Sequence, residues 1–277
     1  MRIARRRCDI ATEVLNGPLG EIRSATTAGG GTALSTTAVA IPIPDGTRTV
    51  QYIPRNYATA VVLKLARNPY LLVYKTTDLL ATITDYSSAA QDGNAATDVV
   101  LSSLDTLANG DALWIGGHLP FRGIQVDVDA ANATASVLAG HYWDGNSLEA
   151  LTVTDGSDSG GATFAIDGAI TWTMPTDWTR GKLATVGSAA QSIPHNGVDL
   201  YWVRLTVSAA LDSSATLNSL LALNRSIAYA EYPVGFAVEE RFQKGLGYWG
   251  SVEALVDAGT ASLIVNCASQ HPTGFLS

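Results

Sequence analysis

The chain alternates apolar and polar residues in short runs that end at Gly, Pro, Asn or Asp. Between residues 141 and 207 the pattern is plainest: HYWDG, LTVTDG, DGAITWTMPTDW and LYWVRLTV follow one another. Period-2 alternation puts successive side chains on opposite faces of a strand, and Asp-Gly supplies the backbone freedom of a tight turn. Four of the six tryptophans, Trp143, Trp172, Trp178 and Trp202, lie in or beside these runs. This predicts antiparallel strands around an aromatic core. The same reading elsewhere predicts strands over 38–43, 49–53, 60–65, 70–75, 99–104, 112–115, 124–128, 136–142, 148–153, 169–172, 200–207, 217–223, 227–231, 237–242, 252–256 and 263–267. Pro42 and Pro44 imply an edge or entry position for the first of these. Arg67-Asn68-Pro69 reads as the turn pairing 60–65 with 70–75, and 78–90 reads as a transition. Turn signals recur every ~8–12 residues, so the predicted class is all-β, of antiparallel β-sandwich or jelly-roll type.

The pattern also predicts an organisation. Residues 1–37 form an extended N-terminal arm, with turn residues Gly17, Pro18 and Gly20, a Gly-rich stretch at 28–31 and a short helix near 10–15. The strands of 38–81 cannot bury both their faces alone, nor can those of 226–277. Residues 82–225 hold enough strands for a sandwich of their own. The expected arrangement is an outer β domain built from 38–81 plus 226–277, with 82–225 inserted as a second sandwich. Two consecutive domains, the tail packed on the second, is the alternative.

Composition narrows the class. Charged residues are 15% and hydrophobic ones 47%, which argues against disorder. Lys and Glu are scarce while Thr, Ala and Gly abound, which favours strands over helices. The net charge of −8 is uneven: residues 1–75 carry ten basic and four acidic side chains, the remainder seven and twenty-one. Arg2, Arg5, Arg6 and Arg7 are concentrated at the start, where they can contact an acidic neighbour; nucleic acid is not the expected partner. Asp9, Glu13 and Asn16 interrupt any apolar run after these arginines, so no secretory signal is expected. No apolar run approaches ~18 residues, so no membrane span is expected. Cys8 and Cys267 offer no disulfide framework and read as reduced thiols.

Chemical motifs are sparse. His118, His141, His195 and His271 have no metal-ligand spacing. No nucleophile elbow is present. Gly245-Leu246-Gly247-Tyr248-Trp249-Gly250 matches GxGxxG in letters. Bulky residues fill its variable positions and strands are expected on both sides, so it reads as a glycine hairpin or bulge that lets Trp249 cover an edge, not as a cofactor loop. Asp127, Asp129 and Asn132, and separately Asp155, Asp158 and Asp167, offer oxygen ligands but match no EF-hand loop. They read as ordinary turn residues. The sequons at Asn132 and Asn224 carry little weight without a secretion signal. No catalytic residue, cofactor or metal is expected. Aromatic residues beside turns can stack on sugar rings, and Trp143 and Trp178 are the candidates for such surface contact, with Tyr142 and Tyr201 behind them. Trp172 and Trp202, in mid-strand, read as core.

Several stretches together resemble β-rich virion structural proteins of tailed bacteriophages. These are Asp85-Tyr86-Ser87 with Asp92-Gly93, then LWIGGHLPFRGIQVDV, YWDGNSLEALTVTDG, ITWTMPTDW and LYWVRLTVSAAL, with an echo in DAGTASLIVN. The resemblance covers roughly residues 80–225. It implies a non-enzymatic protein of the virion, assembled in the host cytoplasm, that decorates or stabilises a capsid. Its partners would be capsid or other virion proteins and copies of itself, most naturally as a trimer. A neck, tail or baseplate component is the alternative within that class, and a carbohydrate-binding module for host surface glycans is the alternative outside it.

Overall fold

The computed structural model describes residues 22–24, 31–60, 62–94, 96, 98–102, 104–188, 197–223 and 229–268. The chain opens with β1 (Ile22–Ser24), β2 (Thr32–Leu34), β3 (Val39–Pro42), β4 (Thr49–Arg55) and β5 (Val62–Pro69). Its middle part holds β6 (Leu71–Thr77), β7 (Thr82–Asp85), β8 (Val99–Val100), β9 (Ala112–Gly117), β10 (Gly123–Ala130), β11 (Leu138–Trp143) and β12 (Leu148–Leu151). There follow β13 (Val153–Asp155), β14 (Gly168–Trp172), β15 (Arg180–Gly181), the one-turn helix α1 (Leu183–Val186), β16 (Leu200–Val207) and β17 (Thr216–Leu223). The end supplies β18 (Ala230–Pro233), β19 (Val238–Arg241), β20 (Trp249–Val256) and β21 (Ala261–Ala268).

The fold is all-β, and every strand pairing between these elements is antiparallel. Both ends of the chain build one sandwich. One of its sheets runs β1-β21-β4-β19 with β2 also on β21, and the other runs β18-β5-β20-β3. Alternation dictates its core: Leu63 and Leu65 of β5, Val252, Ala254 and Val256 of β20, and Leu263, Val265 and Cys267 of β21 all face the gap between the sheets. The middle of the chain builds a second sandwich, from a sheet β12-β11-β16-β9-β6-β7, with β15 on β16, and a sheet β13-β14-β10-β17-β8.

In β6 the alternation serves two cores at once. Leu71 and Val73 face the second sandwich's interior with Phe121, Ile124 and Leu220. Leu72 and Tyr74 face outward, into a cluster with Trp114, Trp143 and Trp202 that Leu183 and Val186 of α1 cover. A sheet buried on both faces reads as a continuous apolar run, which is why Leu71-Leu72-Val73-Tyr74 shows no polar alternation.

The two sandwiches meet along a seam where Ala40 of β3 packs on Leu221 and Leu223 of β17. Polar groups cross it. The carboxylate of Glu253, on β20 and fully buried, faces the guanidinium of Arg122 at 2.8 Å and accepts a hydrogen bond from Tyr229. Lys244 donates to the carbonyls of Ile43 and Gln91 and lies 2.7 Å from Asp45. The Gln91 side chain in turn caps Leu71, accepting from its N–H and donating to its carbonyl.

Three local readings are corrected. Residues 67–70 are not a hairpin turn: β5 extends through Pro69, paired with β20 at Asn68 and Pro69, and the chain passes on into β6. Those two strands join different sheets, so residues 71–77, grouped by pattern with the chain ends, pair with β9 in the middle sandwich. Residues 32–34, read as part of the free arm, lie on β21 beside residues 22–24. The helix near 10–15 lies outside the described residues.

Candidate functional site

Trp143 and Trp178 are not surface residues; each is more than nine-tenths buried. Trp178 donates its indole N–H to the carbonyl of Trp202 at 3.2 Å and packs its ring on Phe121 and Tyr201. Trp143 lies in the outer cluster against β15, where a Cβ on Gly181 would come within 3.0 Å of its indole nitrogen. Both stand beside turns, but Trp143 is covered by β15 and α1, and Trp178 packs on Phe121 and Tyr201, long-range contacts that local pattern does not report. Tyr142 is half-buried and donates to Asp177 at 2.9 Å. Arg2, Arg5, Arg6 and Arg7 lie outside the described residues, as do His195 and His271.

The acidic side chains are engaged by neighbouring strands and turns. Asp127 accepts from the Asn218 amide, Asp129 from the Thr216 hydroxyl and Asp167 from the Val128 N–H. Asp155 accepts from both the N–H and hydroxyl of Ser157. Asn132 is buried, with its amide donating to Thr134, Ser136 and Thr163, so it is not placed to carry a glycan. Among the described residues no three His, Cys, Asp or Glu side chains are grouped to share a metal ion. Nor is any helix among them long and apolar enough to cross a membrane. Gly245 and Gly247 adopt positive φ in a turn closed by Tyr248 N–H to Gly245 carbonyl. That turn feeds strand β20, not a helix, so no phosphate-binding helix start is built there.

A site that combines aromatic, charged and open character lies at the mouth of the terminal sandwich, between edge strands β18 and β19. It is a cleft of about 410 Å³ whose walls include Leu65, Arg67, Tyr232, Glu240, Trp249 and Val252. Its construction follows from alternation. Leu63 and Leu65 point into the sandwich, so two residues on, Arg67 points the same way. It reaches the open end instead of the core. Across the gap Glu240 sits opposite Val50 in the β19–β4 register, on the same inward face.

Arg67 grips the Glu240 carboxylate with both forks, Nε to Oε1 at 3.2 Å and Nη2 to Oε2. The buried Tyr52 hydroxyl donates to Oε1 at 2.7 Å. Burial, then the Glu240 charge, hold the Tyr52 phenol well above its ordinary value. The Glu240 bonds outweigh burial and raise Arg67 further. These bonds fix the pair in orientation.

Trp249 forms the other wall. The Arg67 guanidinium lies 6.0 Å from its ring centroid, and His118, from the loop after β9, meets it edge-on at 6.0 Å. Burial, with Arg180 second, lowers the His118 pKa, so the ring is neutral near pH 7. Sequence reasoning missed Arg67, Glu240 and Tyr232. The available signal was an Arg in phase with the buried leucines of its own strand. Its partner lies too far along the chain for spacing to reveal.

No family model matches the chain, and neither a curated protein nor a solved structure is similar to it.

Proposed function

We propose that this chain is a non-enzymatic structural protein of a tailed-phage virion, decorating or stabilising the capsid as a homo-oligomer, with the trimer favoured. The sequence resemblance over residues 80–225 motivates the reading. The observation that carries it furthest is the handling of the N-terminal segment. Residues 22–24 and 32–34 attach to β21 by main-chain pairing along the sheet edge, and Leu34 adds a buried side chain to the core. Strand addition of this kind draws mainly on backbone groups, and the same device lets an extended segment lie on a neighbouring subunit. The basic residues Arg2, Arg5, Arg6 and Arg7 precede this strand and give the segment a charge opposite to that of an acidic neighbour. Two sandwiches joined through a buried polar seam suit a rigid building block.

Mass spectrometry of purified virions tests the reading. Peptides of this chain should be present in stoichiometric amount, and their absence would overturn it. Immunogold labelling then separates head from neck, tail or baseplate. Replacing Arg2, Arg5, Arg6 and Arg7 together by Ala should weaken binding to undecorated capsids about tenfold, a loss of ~1.4 kcal/mol, and should leave the melting temperature unchanged. Unaltered binding would remove the arm from the account.

A further inference from the structure

We infer that the cleft between β18 and β19 is a binding site for a neutral saccharide of one or two rings. At 410 Å³ it falls within the range of small-molecule sites, about 300–1,000 Å³. Sugar rings present two chemistries at once: a face of C–H groups, and a rim of hydroxyls that both donate and accept. An aromatic face attracts polarised C–H groups through its negative quadrupole. Tyr232 and Trp249, both half-buried, supply aromatic surface on the cleft wall.

The hydroxyl rim needs fixed donors and acceptors side by side. Glu240 offers carboxylate oxygens with lone pairs beyond those used by Arg67 and Tyr52, and Arg67 offers N–H groups beyond the two it gives Glu240. Their mutual grip holds both in place before any ligand arrives, which removes much of the ordering cost of binding. Trp249 is likewise held, by Arg67 on one side and His118 at its edge.

Charge selects within the class. The guanidinium and carboxylate cancel, so the cleft favours neither anion nor cation, and the net charge of −8 disfavours acidic sugars. Leu65 and Val252 add apolar surface to the cleft wall. Trp143 and Trp178 have no part in this site, because they are buried in the other sandwich.

Saturation-transfer NMR and calorimetry on the full chain test the site. The probes are di- and trisaccharides of glucose, galactose, mannose and N-acetylglucosamine, with sialyllactose as the acidic comparison. At least one neutral probe should bind with a Kd of about 1 mM or tighter. Tyr232→Ala, on a short exposed edge strand, and Glu240→Gln should each weaken it about tenfold. Phe236→Ala, an exposed aromatic outside the cleft wall, should leave it unchanged. Circular dichroism verifies that each variant is folded. No neutral binder up to ~10 mM, preference for sialyllactose, or binding that survives both cleft variants would overturn the assignment. None of these results bears on whether the chain is found in virions.

Discussion

Glu253 is fully buried, and Arg122 faces its carboxylate across the seam beside the Tyr229 hydroxyl. Arg122 is itself more than a third exposed, so removing it leaves the buried carboxylate with the Tyr229 hydroxyl and partial access to water, at a cost of about 2 kcal/mol, or roughly 4–8 °C in melting temperature for a chain of this size. Arg122→Ala should show that loss in calorimetry, and a change under about 2 °C would mean that the pair adds nothing net. Other buried groups set the alkaline limit. Burial pushes the Cys267 thiol from an ordinary 9.0 up to about 12, and the Tyr70 and Tyr229 phenols from 10.0 up to about 12. Folded, these groups keep protons that the unfolded chain has released, so their stabilisation is whole below about pH 9 and is lost as pH rises toward 12. Melting temperature should be level from about pH 7 to 9 and fall steadily above; a level course to pH 11 would contradict the burial of these groups. At pH 8 iodoacetamide should spare Cys267 in the native protein and label it only after denaturation.

At the level of strands, Gly116 shows how tightly the outer cluster is built. It pairs with Trp202 across β9 and β16, and a Cβ there would lie 2.6 Å from the indole. Tyr74 packs on the same ring with centroids 6.0 Å apart, so the tryptophan has little room to yield. Gly116→Ala should cost about 1–3 kcal/mol by overpacking, measured by urea denaturation; a neutral effect would mean that the cluster relaxes freely. The Gly116-Gly117 pair stood in plain view in the sequence, but its partner did not. Most strands were legible because period-2 alternation and turn residues are local: β16 and β17 fall where the pattern put them. Residues 22–24, 32–34 and 82–85 escaped because short edge strands need little apolar content and are defined by the partner that receives them. Asn68-Pro69 misled because turn residues do not prevent a strand from continuing where a partner receives it, and here β5 stays paired with β20 through Pro69. Trp143 and Trp178 misled because burial at a strand end depends on what folds over it. The cleft was invisible for the same reason, since Arg67 and Glu240 meet only through the sandwich.

For the molecule as a whole, the proposal of a homo-oligomer gives a direct measurement. Light scattering on the purified chain should return three times the monomer mass of 29.0 kDa, and a monomer at every concentration tested would remove self-association from the account. The pairing of the chain's two ends has a further consequence for biosynthesis. A ribosome makes β3, β4 and β5 long before β20 and β21, the strands that receive them. Closing so long a loop is slower than the hairpins of the middle segment, so the middle sandwich can finish while the first strands wait. A chain interrupted before residue 249 would then hold a completed middle and unpaired edges at its beginning, open to proteases and to other strands. Strands β20 and β21 thus act as a clasp, and only copies that include them present the closed terminal sandwich.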